Sequence, residues 1–251
     1  MKSLFVFACR WFCAGLLCTG LACAQDVTLT ARVELLKGGK PVKAPEAENV
    51  VVWLVPEGGG VSPVFHQNHV PPAQVPAAQV PRLVQYNKTF EPHVLVVPVG
   101  AVVAFPNRDP FFHNVFSLFE GKRFDLGLYE AGTTRDVHFD KPGISYIFCN
   151  IHPEMSAVVI ALDTPYYGIS DARGQVVIAN VPSGKYTLRV WYEATPPEIL
   201  KAMTREVTVS EASSTLGVLR LKEANLSTAH KNLYGRDYDS PAPDSPAYER
   251  H

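Results

Sequence analysis

Phe148-Cys149-Asn150-Ile151-His152-Pro153-Glu154-Met155 ends a strand-like run, Ser145 to Cys149, with a short loop that carries three different donor groups. A strand delivers Cys149, a tight turn brings His152 back, and Met155 follows at the same spacing. Further strand-like runs lie around it at Leu83–Tyr86, His93–Val97, Ala101–Phe105, His113–Leu118, Thr133–Phe139 and Ala157–Leu162. Gly100, Asn107-Arg108-Asp109-Pro110 and Lys141-Pro142-Gly143 punctuate them. Short strands at this regular spacing indicate an all-β sandwich or Greek-key barrel.

Further out, a second β pattern flanks the first. Val27 to Val33 alternates apolar and polar residues, the period of a half-buried strand. Lys37 to Lys40 turns, and Asn49 to Val55 is strongly apolar. Residues 57–81 are rich in Pro, Gly, Ala and Gln, which reads as an extended loop or linker because each proline fixes φ and removes a donor. After Asp163-Thr164-Pro165, strands are expected at Tyr167–Ser170, Gln175–Ala179 and Lys185–Tyr192, a helix at Pro197–Met203, and strands at Arg205–Val209 and Leu216–Leu221. Residues 226–251 turn polar and read as a disordered tail.

The 251 residues carry 23 Lys+Arg against 24 Asp+Glu, a net charge of -1, and no basic run. That excludes a broadly basic nucleic-acid binder. Twenty-one prolines and 17 glycines favour short segments over long helices. Lys2 and Arg10, the apolar stretch Trp11 to Leu21 and the small-x-small end Ala22-Cys23-Ala24 read as a secretory leader over residues 1–24, cut before Gln25. The apolar run falls short of the roughly 20 residues of a membrane span. The expectation is an exported, periplasmic protein without a membrane span. Four of the five cysteines lie in that leader, which leaves Cys149 alone in an oxidising compartment. It is a packed thiol, an intermolecular link, a nucleophile or a metal ligand.

Its neighbours favour the ligand. Thiolate, imidazole and thioether suit copper, which must be held in both oxidation states. The missing imidazole should come from another strand, and His113 in Phe112-His113-Asn114-Val115 fits. Two His and one Cys in a plane with a distant methionine make the blue-copper arrangement. A Cys/His hydrolase would leave Met155 unexplained and align His152 poorly, and zinc would not select a methionine. A dinuclear copper site needs a second cysteine. Multicopper oxidases and nitrite reductases need a histidine beside the cysteine, where this chain has Phe148 and Asn150. His66 and His69 read as solvated loop residues, and His93 and His138 as structural or exposed.

His113-Asn114-Val115 together with Cys-x-x-His-x-x-Met resembles the cupredoxin family, with a ligand loop similar to that of its amicyanin branch, down to Pro153. Plastocyanin-like members set the methionine two residues further on. The resemblance covers residues 82–163 and implies a Greek-key sandwich with one mononuclear type 1 copper. It implies His113, Cys149 and His152 as equatorial ligands, Met155 as the weak axial one, and Asn114 as the residue that ties the two ligand segments together and supports the sulfur. Pro153 and Glu154 fall at the docking face, where Glu154 departs from the family by setting a charge beside the histidine. Tyr167 to Gly174 and Val181 to Leu188 resemble the second half of a carboxypeptidase-regulatory-like, transthyretin-like sandwich, whose first half matches Val27 to Leu54. The economical reading is one such module, residues 25–56 and 164–225, split by an inserted cupredoxin. Secreted bacterial proteins of the methylamine-utilisation type look similar throughout.

The expected function is therefore single-electron transfer between redox protein partners, with no bond making. The alternatives are copper delivery without redox turnover, or an interaction module with structural copper. Only Met155 and Met203 follow the leader, and that scarcity of thioethers favours electron transfer over trafficking. The turn position of His152 suggests a ring edge facing a partner.

Overall fold

Asp26–Lys37 forms β1, whose strict alternation turns Val27, Leu29, Ala31, Val33 and Leu35 inward and polar residues out. The computed structural model describes residues 26–41, 47–58, 80–118, 121–224 and 230–238. The leader at 1–24, most of the proline-rich stretch 57–81, and residues 226–229 and 239–251 of the tail lie outside the described residues. After β1 come β2 (Lys40–Pro41), β3 (Val51–Pro56), β4 (Val84–Tyr86), β5 (Thr89–Glu91), β6 (Val94–Pro98), β7 (Ala101–Pro106), β8 (His113–Ser117) and β9 (Phe124–Tyr129). Then follow β10 (Thr134–Phe139), β11 (Gly143–Cys149), β12 (Ser156–Leu162), β13 (Tyr167–Ile169), β14 (Gln175–Pro182), β15 (Gly184–Trp191), the helix α1 (Pro197–Ala202), β16 (Arg205–Val209) and β17 (Thr215–Lys222). The fold class is all-β, as the strand pattern led us to expect.

The strands make two sandwiches. In one, the sheet β14-β1-β17 faces the sheet β13-β3-β15-β16. Strand β1 pairs antiparallel with β14 and parallel with β17, and β3 pairs antiparallel with β13 and β15. Strands β1 and β3 thus sit centrally among strands that follow Thr164. Their core holds Leu29, Val33, Val52, Leu54, Ile178, Leu188 and Leu221. Gly174 closes the turn after Asp171 against β1 at φ +73, and a Cβ there would meet the Val33 carbonyl oxygen at 2.5 Å.

The other sandwich spans residues 82 to 162. Its five-stranded sheet runs β6-β12-β11-β8-β9, with the pairs β10-β7 and β4-β5 across the core. Leu83, Phe90, Phe105, Phe139, Ile147, Cys149, Met155 and Val159 fill that core. Strand β12 is apolar from Ala157 to Leu162 because both its faces are covered there. Ala157, Val159 and Ala161 enter the core of this sandwich. Val158, Ile160 and Leu162 face outward and pack, with Val94 and Val96, against Val51 and Trp191 of the other sandwich. Each fully buried side chain in that seam contributes roughly 1.5–3 kcal/mol relative to exposure.

Two expectations change. Phe124–Tyr129 is a strand that the sequence pattern did not single out: β9 lies at a sheet edge, its register with β8 slips between Asn114 and Phe116, and Gly127 takes φ +65 within it. An edge strand with a glycine and a bulge loses the clean alternation that marks a strand. The tail is also not structureless throughout, because residues 230–238 pack against the Cys149 loop.

Candidate metal centre

Strand β11 ends at Cys149 and pairs with β8, so Cys149 lies opposite Val115, two residues from His113. The loop then folds tightly: the Met155 N–H donates to the His152 carbonyl (3.1 Å), and the Cys149 N–H to the Met155 carbonyl (3.3 Å). Asn150 N–H donates to the Asn114 carbonyl (2.8 Å), which fixes the loop to β8. These backbone bonds bring three side chains together. Cys149 Sγ lies 3.6 Å from Nδ1 of His113 and 3.6 Å from Nδ1 of His152, and the two Nδ1 atoms are 3.2 Å apart. The centre of such a triangle is about 2 Å from each corner, the length of a first-row metal–nitrogen bond. The three residues fit a metal ion.

All three are buried, with His113 and Cys149 at 0% exposure and His152 at 4%. Met155 is buried in the same core at 0%. Burial lowers the His113 pKa despite the carboxylate beside it. Burial, and then the neighbouring His113, lower that of His152 to about 4. Both imidazoles are therefore neutral at pH 7. Burial pushes the Cys149 thiol up, opposed by backbone N–H groups of Asn114, Ile151 and His152.

Asp109 is a residue that the sequence reading treated only as part of a turn. Its Oδ2 accepts from His113 Nε2 at 2.9 Å, which leaves the His113 Nδ1 lone pair aimed into the triangle. The same carboxylate accepts from the backbone N–H groups of Asn87 and Lys88, at 2.6 and 3.0 Å. Those two residues, both at positive φ, turn the β4–β5 hairpin. Asp109 thus pins a hairpin and orients an imidazole together. The signal available in the sequence was its spacing, four residues before His113 with a proline between.

Two further placements differ from expectation. The tie between the ligand segments at Asn114 is made by its backbone, while its side chain donates outward to Asp125 at 2.7 Å. His152 shows almost no ring edge to solvent, and Phe111 packs against both imidazoles with ring centroids 5.4 Å apart. Pro153 and Glu154 beside it are exposed. His93 and His138 stand outside the triangle, and His66 and His69 lie outside the described residues.

A strap formed by residues 230–238 completes the surroundings. His230 stacks on Phe148 with centroids 4.1 Å apart, and the Leu233 N–H donates to Asn150 Oδ1 at 2.8 Å. The Tyr238 phenol donates to the Cys149 carbonyl at 2.7 Å and meets His230 Nδ1 at 3.1 Å.

Fold and geometry define an all-β protein with a buried His-Cys-His group fit for a metal ion. No protein-family model matches the chain, and no curated protein matches it. Among solved structures, it is similar to a copper-containing nitrite reductase from Thermus scotoductus SA-01, at 26% identity over 33% of this chain with a TM-score of 0.32. This alignment spans 22% of the nitrite reductase's length. It is also similar to a purple cupredoxin from Nitrosopumilus maritimus, at 23% identity over 33% of this chain and 99% of that one, with a TM-score of 0.31. A Cu(I) amicyanin variant aligns at 22% identity over 36% of this chain and 88% of that one, with a TM-score of 0.32. No helix among the described residues is long and apolar enough to cross a membrane.

Proposed function

We propose that this chain is an exported type 1 blue-copper protein that carries single electrons between redox proteins and catalyses no bond making. The observation that carries the reading is the triangle of Cys149 Sγ and two histidine Nδ1 atoms, closed to solvent and backed by Asp109. In this reading His113, Cys149 and His152 hold one copper ion, with Met155 as the weak fourth donor. When bound, the ion supplies a Cu(II)/Cu(I) couple.

The chain's own contribution is rigidity. The ligand loop is tied by backbone hydrogen bonds to β8 and within itself, and the imidazoles are wedged by Phe111. Groups held this firmly resist rearrangement between oxidation states. Cys149 is the one ligand that must lose a proton, and its burial makes a cation in the triangle the charge that stabilises the thiolate. Closure of the ligands also speaks against delivery, because a donor of copper must let the ion leave. The split arrangement, a regulatory-like module formed by residues 25–56 and 164–225 around a cupredoxin-type insert at 82–163, is part of the same proposal. The pairing of β1 and β3 with later strands supports it.

The test is the visible spectrum of protein purified from a copper-replete periplasm. Strong thiolate-to-copper absorption is expected, and Cys149→Ser should bleach it while leaving the fold largely intact. Colourless wild-type protein with stoichiometric zinc would overturn the reading.

A further inference from the structure

Strand β11 has two faces with different destinies. Ser145, Ile147 and Cys149 point into the core, whereas Ile144, Tyr146 and Phe148 are half-buried on the other side. That outer face looks towards the outer face of the β13-β3-β15-β16 sheet. The two sheets touch along the apolar seam around Val51, Val158, Ile160 and Trp191. Beyond the seam they part and enclose a cleft of about 1120 Å³. Its volume is slightly above the roughly 300–1,000 Å³ usual for small-molecule sites, which is room for a two-ring molecule with water beside it.

The walls are aromatic and the charges are lopsided. Trp53 and Trp191 stand on one side, and Tyr146 and Phe148 on the other. Trp53 and Arg189 are directly opposed on β3 and β15, so the guanidinium lies on the same face as the indole. Lys201, on α1, lines the same cleft. The acid there, Glu193, is engaged by His93 at 2.6 Å. Arg189 and Lys201 form no salt bridge among the described residues, and both are exposed at the rim. Flat π surfaces beside two cations without a carboxylate partner are complementary to a planar aromatic anion.

We propose that this cleft binds a planar aromatic carboxylate, with its ring system between the aromatic walls and its carboxylate at Arg189 and Lys201. The site is separate from the metal centre and does not depend on it. One covalent step joins the two, since Phe148 on the cleft wall is bonded to Cys149.

The sequence makes the test selective. Apart from Trp11 in the leader, Trp53 and Trp191 are the chain's tryptophans, and both line the cleft. Their indole N–H resonances in nitrogen-15-labelled protein report on occupancy without any metal. Titration with 2-naphthoate should shift both resonances saturably. The neutral ester methyl 2-naphthoate should bind at least about tenfold more weakly, the loss of one charge-assisted contact. The double variant Arg189→Gln/Lys201→Gln changes exposed residues and should keep the fold, read from its amide spectrum, while weakening naphthoate by at least about tenfold. Indole resonances that stay still at millimolar naphthoate overturn the proposal. So does an ester that binds as well as the acid, or a folded double variant that binds naphthoate unchanged.

Discussion

The phenol of Tyr238 donates to the carbonyl oxygen of Cys149 at 2.7 Å, across 89 positions of chain. A strap from the far C-terminal region thus grips the backbone of the residue that brings the sulfur to the candidate metal centre. Burial raises the Tyr238 pKa further above its ordinary value, and so keeps the phenol a donor throughout the working range.

Tyr238→Phe keeps the ring and removes the donor. It should cost about 0.5–1.5 kcal/mol, the usual net worth of one hydrogen bond. The local effect should be larger than the global one, because the strap is otherwise held by a stacked ring and one backbone donor. Amide exchange across 230–238 should accelerate before any change in the two cores. Unaltered exchange in that segment would show that the phenol does not hold the strap.

Asp109→Asn should weaken copper binding by about 10–100-fold, the range found when a group that orients a ligating histidine is lost. The carboxylate accepts three hydrogen bonds while only 4% exposed, and an amide cannot accept all three without presenting a donor to one of them. Competition with a chelator measures the affinity. Equal affinity in variant and parent would mean that His113 is oriented by packing alone, through Phe111.

How much of this was readable in advance follows from how local each interaction is. The Cys149–Met155 loop stood out because three donor types at short spacing are improbable as packing alone, and the expected meeting of Cys149 and His152 with His113 is what the fold brings about. The alternation of β1 and the apolar run of β12 marked strands, yet nothing in β12 revealed that its two faces serve different cores. Asp109 was hidden because its role depends on a loop that folds back onto a distant hairpin. The strap was hidden for a related reason. Its composition is that of a solvated tail, and its order rests on two side chains and one backbone N–H that meet specific partners. The burial of His152 was misjudged because a turn position says nothing about Phe111, which arrives from another loop.

If residues 25–56 and 164–225 form one module, its stability should be inseparable from the strands before the insert. Leu54 is fully buried opposite Leu188 on β15. Leu54→Ala should cost about 2–5 kcal/mol through lost burial and the cavity left behind. A fragment of residues 165–224, deprived of β1 and β3, should show no dispersed amide spectrum. A folded fragment would refute the split-module reading outright.

The joint between the sandwiches should respond to pH through His93. It stands just before β6, and its Nε2 meets Glu193 Oε2, just after β15, at 2.6 Å, while its Nδ1 meets the Ser156 carbonyl at 3.2 Å. Two acceptors on one ring favour the doubly protonated form, and the bond to Glu193 raises the His93 pKa above 6.5 against the opposing effect of burial. A histidine whose folded pKa is raised contributes stability that is fully present below its unfolded value. That stability is lost as the pH rises through the folded value. The side chains are 40% and 35% exposed, so solvent screening limits the pair to about 0.5–1 kcal/mol. Urea unfolding of the parent and of His93→Gln at about pH 5.5 and about pH 8.5 isolates the effect, because all other titrating groups are common to both proteins. The parent should be the more stable of the two at the lower pH, with the difference shrinking at the higher. A difference that is constant with pH, or that grows towards high pH, would mean that the pair is not an ion pair in the folded protein and that the apolar seam alone holds the joint.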